Sequence, residues 1–270
     1  MRKNMFIIVL IVIAIIATYC YYENNALQVT NIDISSSKIN SKIKIVQLSD
    51  LHSKQFGKNN SDLIKLVNKQ KPDIIVFTGD LIDVTTSDIN PSLNTLIELN
   101  KTTPVYYIVG NHEHGAYKND EIISTLKTAG VHALSNETTS INIKNTNISI
   151  IGLDEINYNK QKIDKMLSSF EKRSDFKIIL SHFPENFQND YKNYSVDMVM
   201  SGHAHGGQVI IPFIGAIYAP GQGFFPKYYM GKYTENNVSL VVSRGLGNSR
   251  FPIRINNRPE VVVVNLLPKD

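Results

Sequence analysis

The sequence holds a single cysteine, Cys20, among its 270 residues. One cysteine excludes an internal disulfide and a zinc site built from cysteine thiolates. The chain also lacks a long run of lysine and arginine, so we expect no nucleic-acid partner. No internal repeat or low-complexity tract is evident, and the 42% hydrophobic and 19% charged residues are those of a globular protein with a substantial core.

The formal net charge is +4 and the isoelectric point is near 8.9. This mild basicity suits an anionic substrate or a membrane surface.

The first 22 residues, MRKNMFIIVLIVIAIIATYCYY, contain an apolar run that begins after a basic pair and ends among tyrosines. A run of this length can cross a bilayer, with the basic pair on the cytoplasmic side and the tyrosines at the far headgroup layer. A cleaved signal peptide is the competing interpretation, but no small-x-small cleavage triplet follows the run. We therefore expect an uncleaved anchor, and either alternative exports the rest of the chain.

These observations predict three regions. Residues 1–22 are a transmembrane anchor, residues 23–41 are a linker with a short strand, and residues 42–270 are the main domain. The protein is expected in the cell membrane as a single-pass protein with its main domain outside the cytoplasm.

From residue 42 onwards, short β-branched apolar runs alternate with amphipathic segments, which is typical of a layered α/β domain. The predicted strands lie at 43–49, 73–79, 105–110, 148–153, 177–182 and 196–202, and the predicted helices at 60–71, 91–101, 119–130 and 160–172. After Gly207 the helical period disappears, so we expect antiparallel strands there and two packed sheets overall.

Five of the apolar runs end in residues that bind metals or transfer protons. Ligand sites in open α/β sheets gather at the carboxyl ends of strands, so these ends would bring their polar side chains into one crevice. The residues concerned are Asp50 and His52, Asp80 and Asp83, Asn111 to His114, Ser181 and His182, and His203 and His205.

The side chains in this set are carboxylates, an amide and imidazoles, which together can hold a pair of divalent cations. In an extended segment, residues two apart point to the same side, so Asp50 and His52 should face one site, as should His203 and His205. The glycines of SGHAHGG let the backbone turn sharply and leave room for metal and substrate.

The segments SDLH, TGDLID, GNHEH, SHFPE and SGHAHGGQ resemble, in order and spacing, the signature blocks of the calcineurin-like metallophosphoesterases. The resemblance covers about residues 43–208, and the tail is similar to that of a bacterial, membrane-anchored or exported branch. It implies an α/β (α+β) fold: a four-layer αββα sandwich of two mixed β-sheets flanked by helices.

The same resemblance assigns two divalent metal ions, Mn, Fe or Zn, and a catalytic pair. The implied ligands are Asp50, His52 and His205 for one ion and Asn111, His182 and His203 for the other, with Asp80 between the two. His112 would face the leaving group and Asp83 would position it.

The implied function is metal-dependent hydrolysis of a phosphomonoester, phosphodiester or pyrophosphate bond, in a lipid-linked or nucleotide substrate, at the outer face of the membrane. The alternative is a metal-binding interaction module of the same fold without turnover. A metallo-β-lactamase-like hydrolase would have an Asp-His pair soon after the His-x-His segment, and here Gly206 and Gly207 follow it.

Overall fold

The computed structural model describes residues 2–156, 159–248 and 252–269. The N-terminal apolar run forms one helix, α1 (Arg2–Asn25). Its segment Asn4–Asn25 has an 18-residue window of mean hydropathy 2.5, and no residue of that window is buried against the rest of the protein. The helix is long and apolar enough to cross a membrane, and a signal sequence has the same properties.

Two six-stranded mixed sheets form the centre of the molecule. The first sheet consists of β1 (Gln28–Ser36), β2 (Ile43–Leu48), β3 (Ile74–Thr78), β4 (Val105–Ile108), β5 (His132–Ala133) and β16 (Glu260–Pro268). The second consists of β6 (Glu137–Ile143), β7 (Thr146–Gly152), β8 (Phe176–Leu180), β9 (Met198–Ser201), β14 (Gly231–Glu235) and β15 (Val238–Val242). The order in the first sheet is β1-β16-β2-β3-β4-β5 and in the second β14-β15-β9-β8-β7-β6.

In each sheet the central strands are parallel and almost continuously buried. Strands β2 to β5 are parallel in the first sheet, as are β7, β8, β9 and β15 in the second. Parallel strands are covered on both faces, which explains why their sequences read as unbroken apolar runs. Their carboxyl ends therefore lie at one edge of each sheet, where the polar residues follow.

The helices cover the outer faces of the two sheets. They are α2 (Ser61–Lys69), α3 (Asn90–Asn100), α4 (Asn111–Gly115), α5 (Asn119–Thr128), α6 (Lys160–Phe170) and α7 (Asn186–Asn189). Four of these agree with the predicted helices, because their apolar residues recur at helical spacing. The short helices α4 and α7 were not predicted, since five and four residues are too few to show a period.

Three groups of buried side chains define four layers. One group lies between the sheets and includes Ile45, Val76, Ile178 and Met200. A second joins the first sheet to α2, α3 and α5, and a third joins the second sheet to α6 and α7. The predicted αββα sandwich is confirmed.

The tail after Gly207 is built of strands and turns, as expected, but it is not purely antiparallel. Two short hairpins, β10 (Ile210–Ile211) with β11 (Gly215–Ala216) and β12 (Tyr218–Ala219) with β13 (Gly223–Phe224), precede the last three strands. Strand β15 pairs in parallel with β9, and β16 pairs in parallel with β1. The expectation was wrong here because pairing direction depends on distant strands that a local pattern does not specify.

Strand β16 also joins the N-terminal segment to the domain. Residues Gln28–Ser36 pair along their whole length with Glu260–Pro268. The first sheet therefore begins inside the segment that the sequence assigns to a linker and short strand.

Candidate metal centre

The predicted site residues lie where five parallel strands end. Strands β2, β3 and β4 end just before Asp50, Asp80 and Asn111, and β8 and β9 end just before His182 and His203. The two sheets contribute to the same site because their carboxyl ends face each other across the sandwich. The structure thus brings the predicted residues together from a span of more than 150 positions.

Direct contacts between the sheets hold this edge together. The Gln47 amide donates to the carbonyl of Ser201 at 2.9 Å, and His182 Nδ1 lies 2.7 Å from the carbonyl oxygen of Thr78. At two places on this edge the chain segments lie so close together that only glycine fits. A Cβ on Gly79, whose φ is +90°, would lie 2.5 Å from His182 Nδ1, and one on Gly202 would lie 1.9 Å from Ser49 Oγ.

The first group of ligand atoms comes from four buried residues. One atom from each residue lies within 4.8 Å of the others, and the residues are Asp50, His52, Asp80 and His205. The Nε2 atoms of His52 and His205 face each other at 3.2 Å, and His205 Nε2 is 3.5 Å from Asp50 Oδ1. Nitrogens bound to one tetrahedral zinc ion are separated by about 3.3 Å, so these spacings fit a shared cation.

The second group shares Asp80 with the first. It contains Asp80, His182 and His203, and His182 Nε2 lies 3.2 Å from both Asp80 Oδ2 and Asn111 Oδ1. Asp80 Oδ2 is also 3.6 Å from His52 Nε2. One carboxylate therefore stands between two sets of nitrogen and oxygen ligands.

Five of these residues have an unusual backbone. The φ angles of Asp50, His52, Asp80, His203 and His205 lie between +48° and +61°. Side-chain-bearing residues rarely adopt this left-handed region, and such strain concentrates at functional sites. Our expectation that Asp50 and His52 extend from a strand was wrong in its geometry, as it was for His203 and His205. The chain turns within each pair, and the side chains converge because of that turn.

Burial and mutual charge set the protonation of the groups. Burial raises the pKa of Asp50 from an ordinary 3.8 to about 7. Burial lowers the pKa of His52 to about 4 and that of His203 to about 3. Burial alone would lower the pKa of His182, but the charge of Asp80 raises it to about 10.

The pKa of Asp80 shifts in the opposite direction to that of His182. Burial alone would raise its pKa, but the charge of His182 and the hydrogen bond from that ring hold the pKa below its ordinary value. The Thr78 carbonyl can only accept, so the Nδ1 atom of His182 carries a proton and its Nε2 points at Asp80. A cation between these groups would take over the charge compensation that the protonated ring supplies.

His112 lies at the open side of the centre, with its side chain 17% exposed. Its Nε2 atom is 3.9 Å from Asp80 Oδ2, and its Nδ1 atom is 3.4 Å from Asp83 Oδ2. The Val84 amide donates to the same Nδ1 at 3.2 Å. Because Nδ1 accepts this bond, the proton of the neutral ring lies on Nε2, on the side that faces the ligand groups.

Two buried glutamates support the site from behind: Glu113, which belonged to the predicted strand-end set but had no role assigned, and Glu155, which was not predicted. Glu113 accepts hydrogen bonds from the backbone amides of Asp80, Ile82 and Gly110. Burial and the charge of Asp80 raise the pKa of Glu113 to about 7.

Glu155 does the same on the other sheet. It accepts from the amide of His182, the hydroxyls of Ser181 and Tyr191, and the side-chain amide of Asn186. Glu155 follows the apolar run at 148–153, so the strand-end signal that identified the other residues applies to it as well.

The tail closes the back of the first ligand group. Asn257 donates to the carbonyl of His205 at 2.7 Å, and its backbone amide donates to Glu23 at the end of α1. The fully buried guanidinium of Arg254 donates to the carbonyls of Arg244 and Asn257. Sequence gave no signal for Asn257, because nothing local marks it.

The other tail arginines also make structural contacts. Arg244 pairs with Glu260 at 3.0 Å, and Arg258 donates to the carbonyls of Ala26 and Leu27. Arg250 lies outside the described residues.

Comparison with known proteins agrees with this geometry. The profile of the calcineurin-like phosphoesterases matches residues 43–207. The chain belongs to this family. The chain is 34% identical to the metallophosphoesterase YkuE of Bacillus subtilis over 256 residues, and this alignment covers 91% of the chain and 87% of the relative. The phosphodiesterase YaeI of Escherichia coli is 30% identical over 229 residues, covering 83% and 82%.

A solved structure shows the same fold. GAP50, described as the anchor in the inner membrane complex of Plasmodium, superposes with a TM-score of 0.50 at 13% identity, covering 83% of this chain and 81% of that one. Together, the family and its relatives identify the chain as a metal-dependent phosphoester hydrolase.

The protonation of the centre leads to a prediction about metal binding and pH. Metal ligands must lose their protons, and metal-free folded protein holds a proton on Asp50 up to about pH 7, whereas the unfolded chain loses it near the ordinary 3.8. The metal-free fold therefore loses stability as pH rises through this window. The increase in Tm on adding Mn²⁺ should become larger from about pH 5 to about pH 7.

Thermal unfolding with and without Mn²⁺ measures this increase. In Asp50→Asn, which cannot take up that proton, the dependence on pH should be flatter. A Tm increase that shrinks as pH rises would contradict the protonation we assign to the centre.

Proposed function

We propose that the chain is a binuclear phosphoester hydrolase that acts at the outer face of a membrane. One observation carries the proposal: the buried carboxylate of Asp80 belongs to both ligand groups, with oxygen to nitrogen distances of 3.6 Å to His52 and 3.2 Å to His182. A buried acceptor between two such groups suits a pair of cations better than a single one.

The ligand assignment follows the two groups. Asp50, His52 and His205 would hold one ion, Asn111, His182 and His203 would hold the other, and Asp80 would serve both. Imidazole, carboxylate and amide ligands without thiolate suit Mn, Fe or Zn. When bound, such ions stabilise charge on phosphoryl oxygens and supply a water-derived nucleophile at neutral pH.

The residues of the chain then handle the leaving group. His112 Nε2 carries a proton and faces the ligand groups from the open side. The proton donor is the charged ring, in which a second proton on Nδ1 faces Asp83. As the bond between phosphorus and the departing oxygen breaks, Nε2 gives its proton to that oxygen and leaves a neutral ring with its proton on Nδ1. Asp83 Oδ2, 3.4 Å from Nδ1, stabilises the ring when it is charged.

The alternative is a metal-holding module without turnover. Two observations favour hydrolysis over it. The ring of His112 is accessible and its Nδ1 atom lies 3.4 Å from Asp83 Oδ2, a carboxylate that can hold the charged ring, and a relative that matches 83% of the chain carries the name phosphodiesterase.

The proposed role of His112 has a direct test. Replacing His112 with Ala should lower kcat on an alkyl phosphate by about 10²–10⁴-fold, because the alkoxide leaving group loses its proton donor. Hydrolysis of p-nitrophenyl phosphate should fall much less, since p-nitrophenolate departs without a proton. Metal content should stay unchanged, since His112 is not among the assigned ligands. Steady-state kinetics with added Mn²⁺ and elemental analysis measure the two quantities.

The matched control is His114→Ala, two residues further along α4. His114 Nε2 binds Asp154 at 2.9 Å and lies outside both ligand groups. We expect a loss of less than about tenfold in this variant. Equal losses in the two variants would contradict the assignment of His112.

The location and the substrate class are inferred from α1 and from the tail. Helix α1 serves as an uncleaved membrane anchor. The rings of Phe224 and Phe225 are 73% and 67% exposed, so they are free to contact the lipid part of a substrate. We take a lipid-linked phosphoester as the leading substrate class, and a nucleotide as the second.

Replacing Phe224 and Phe225 together with Ser tests the substrate class. Burying part of each ring against a lipid chain contributes about 1–2 kcal/mol, so kcat/KM on a lipid-linked phosphoester should fall by at least about tenfold. Hydrolysis of p-nitrophenyl phosphate should be unchanged. An equal loss on both substrates would show that the rings serve the fold, and no loss on either would remove the lipid-linked class.

A further inference from the structure

A stretch of the tail is both uncharged and exposed. Residues 208–225 contain no charged side chain. Outside α1, the described part of the chain exposes ten large hydrophobic side chains, and seven of them lie between residues 211 and 253. An apolar surface concentrated in this way marks a contact with another molecule or a membrane.

The tip of the first hairpin, residues 211–214, is the most exposed part of this surface. The Ile214 amide donates to the carbonyl of Ile211 at 3.1 Å, which closes a turn with Pro212 and Phe213 at its centre. Phe213 has a φ of +69° and a relative exposure of 109%. Glycine or asparagine is favoured at this position of the turn, because φ is positive there.

Phe213 thus occupies a strained backbone position, although its ring faces solvent. Phe225 shows the same combination, with a φ of +54° and an exposure of 67%. Strained positions persist where they serve a function, and the exposed ring of Phe213 indicates that its function lies outside the chain.

The hairpin is attached to the end of α1. The Tyr19 hydroxyl donates to Asn256 Oδ1 at 2.8 Å, and Asn256 Nδ2 donates to the carbonyl of Ile210 at 3.0 Å. Phe213 is three residues beyond Ile210, so it lies within about 10 Å of that contact. Tyrosines favour the headgroup layer of a bilayer, which places Tyr19 and the hairpin tip at the same depth.

The end of α1 is itself fixed to the domain. Glu23 accepts the Asn257 amide at 2.8 Å, and Arg258 donates to the carbonyls of Ala26 and Leu27. These bonds hold the hairpin beside the C-terminal end of α1.

We propose that the tip Ile211–Ile214 inserts into the outer lipid layer beside α1. This second membrane contact holds the ligand residues at the bilayer surface, because the hairpin begins five residues after His205. The inference rests on the proposed function in one respect, the use of α1 as an anchor. The molecule that the hairpin tip contacts is lipid and not a protein partner, since the stretch at residues 208–225 carries no charge and adjoins a membrane-spanning helix.

A single label measures the depth of the tip. Cys20 is the sole cysteine, so Cys20→Ser gives a background in which Phe213→Cys carries an environment-sensitive fluorophore. The full chain is reconstituted into vesicles of equal parts phosphatidylcholine and phosphatidylglycerol, with or without brominated acyl chains. We expect bromolipid quenching at position 213 to be several-fold stronger than at a control position.

The control is Lys172→Cys in the same background. Lys172 is exposed and precedes β8, so it lies at the amino end of the parallel strands, opposite the metal centre. Equal quenching at the two positions, or none at position 213, would overturn the inference. A change in emission that appears without vesicles and grows with protein concentration would assign the tip to a second copy of the chain, and would overturn it too.

Hydrolysis of p-nitrophenyl phosphate by the same labelled protein separates this inference from the proposed function. Activity without quenching at position 213 would contradict the membrane contact and support the hydrolase function. Quenching without activity would contradict the hydrolase function and support the membrane contact.

Discussion

Buried carboxyl groups at the meeting edge of two sheets are the constraint on which the rest of this structure depends. Asp50, Asp80, Glu113 and Glu155 are all less than a tenth exposed and lie within one region of the sandwich. An ionised carboxylate in such surroundings needs compensation by hydrogen bonds, imidazoles or cations. Glu113 and Glu155 are satisfied by amides and hydroxyls, whereas Asp50 and Asp80 face histidines and each other.

This constraint explains the local backbone. The ligand residues must turn out of their strands to face one another, so five of them adopt left-handed conformations. The opposing chains must also approach closely, which requires Gly79 beside His182 and Gly202 beside Ser49. The glutamates hold these turns in place through the amides of Asp80 and His182. The strained ligand loops are therefore supported by hydrogen bonds to buried glutamates that lie behind the ligand groups.

Much of the fold could be predicted from the sequence, because apolar runs and helical periods are local signals. The alternation of runs and amphipathic segments predicted two sheets with flanking helices, and the ends of the runs predicted which residues would gather. The parallel pairing of β15 with β9 and of β16 with β1 was missed, because each pair joins strands that lie far apart in the sequence. Asn257 was missed for the same reason: its contact with His205 spans 52 positions.

The central claim is that Asp80 holds two cations together, and the most direct test is the metal content of the purified protein. Elemental analysis after loading with Mn²⁺ and desalting should give two divalent ions per chain. The variant Asp80→Ala should lose both, and Asp154→Ala, a buried carboxylate outside both ligand groups, should keep two. One ion or none in the natural protein, or two ions retained by Asp80→Ala, would contradict the account.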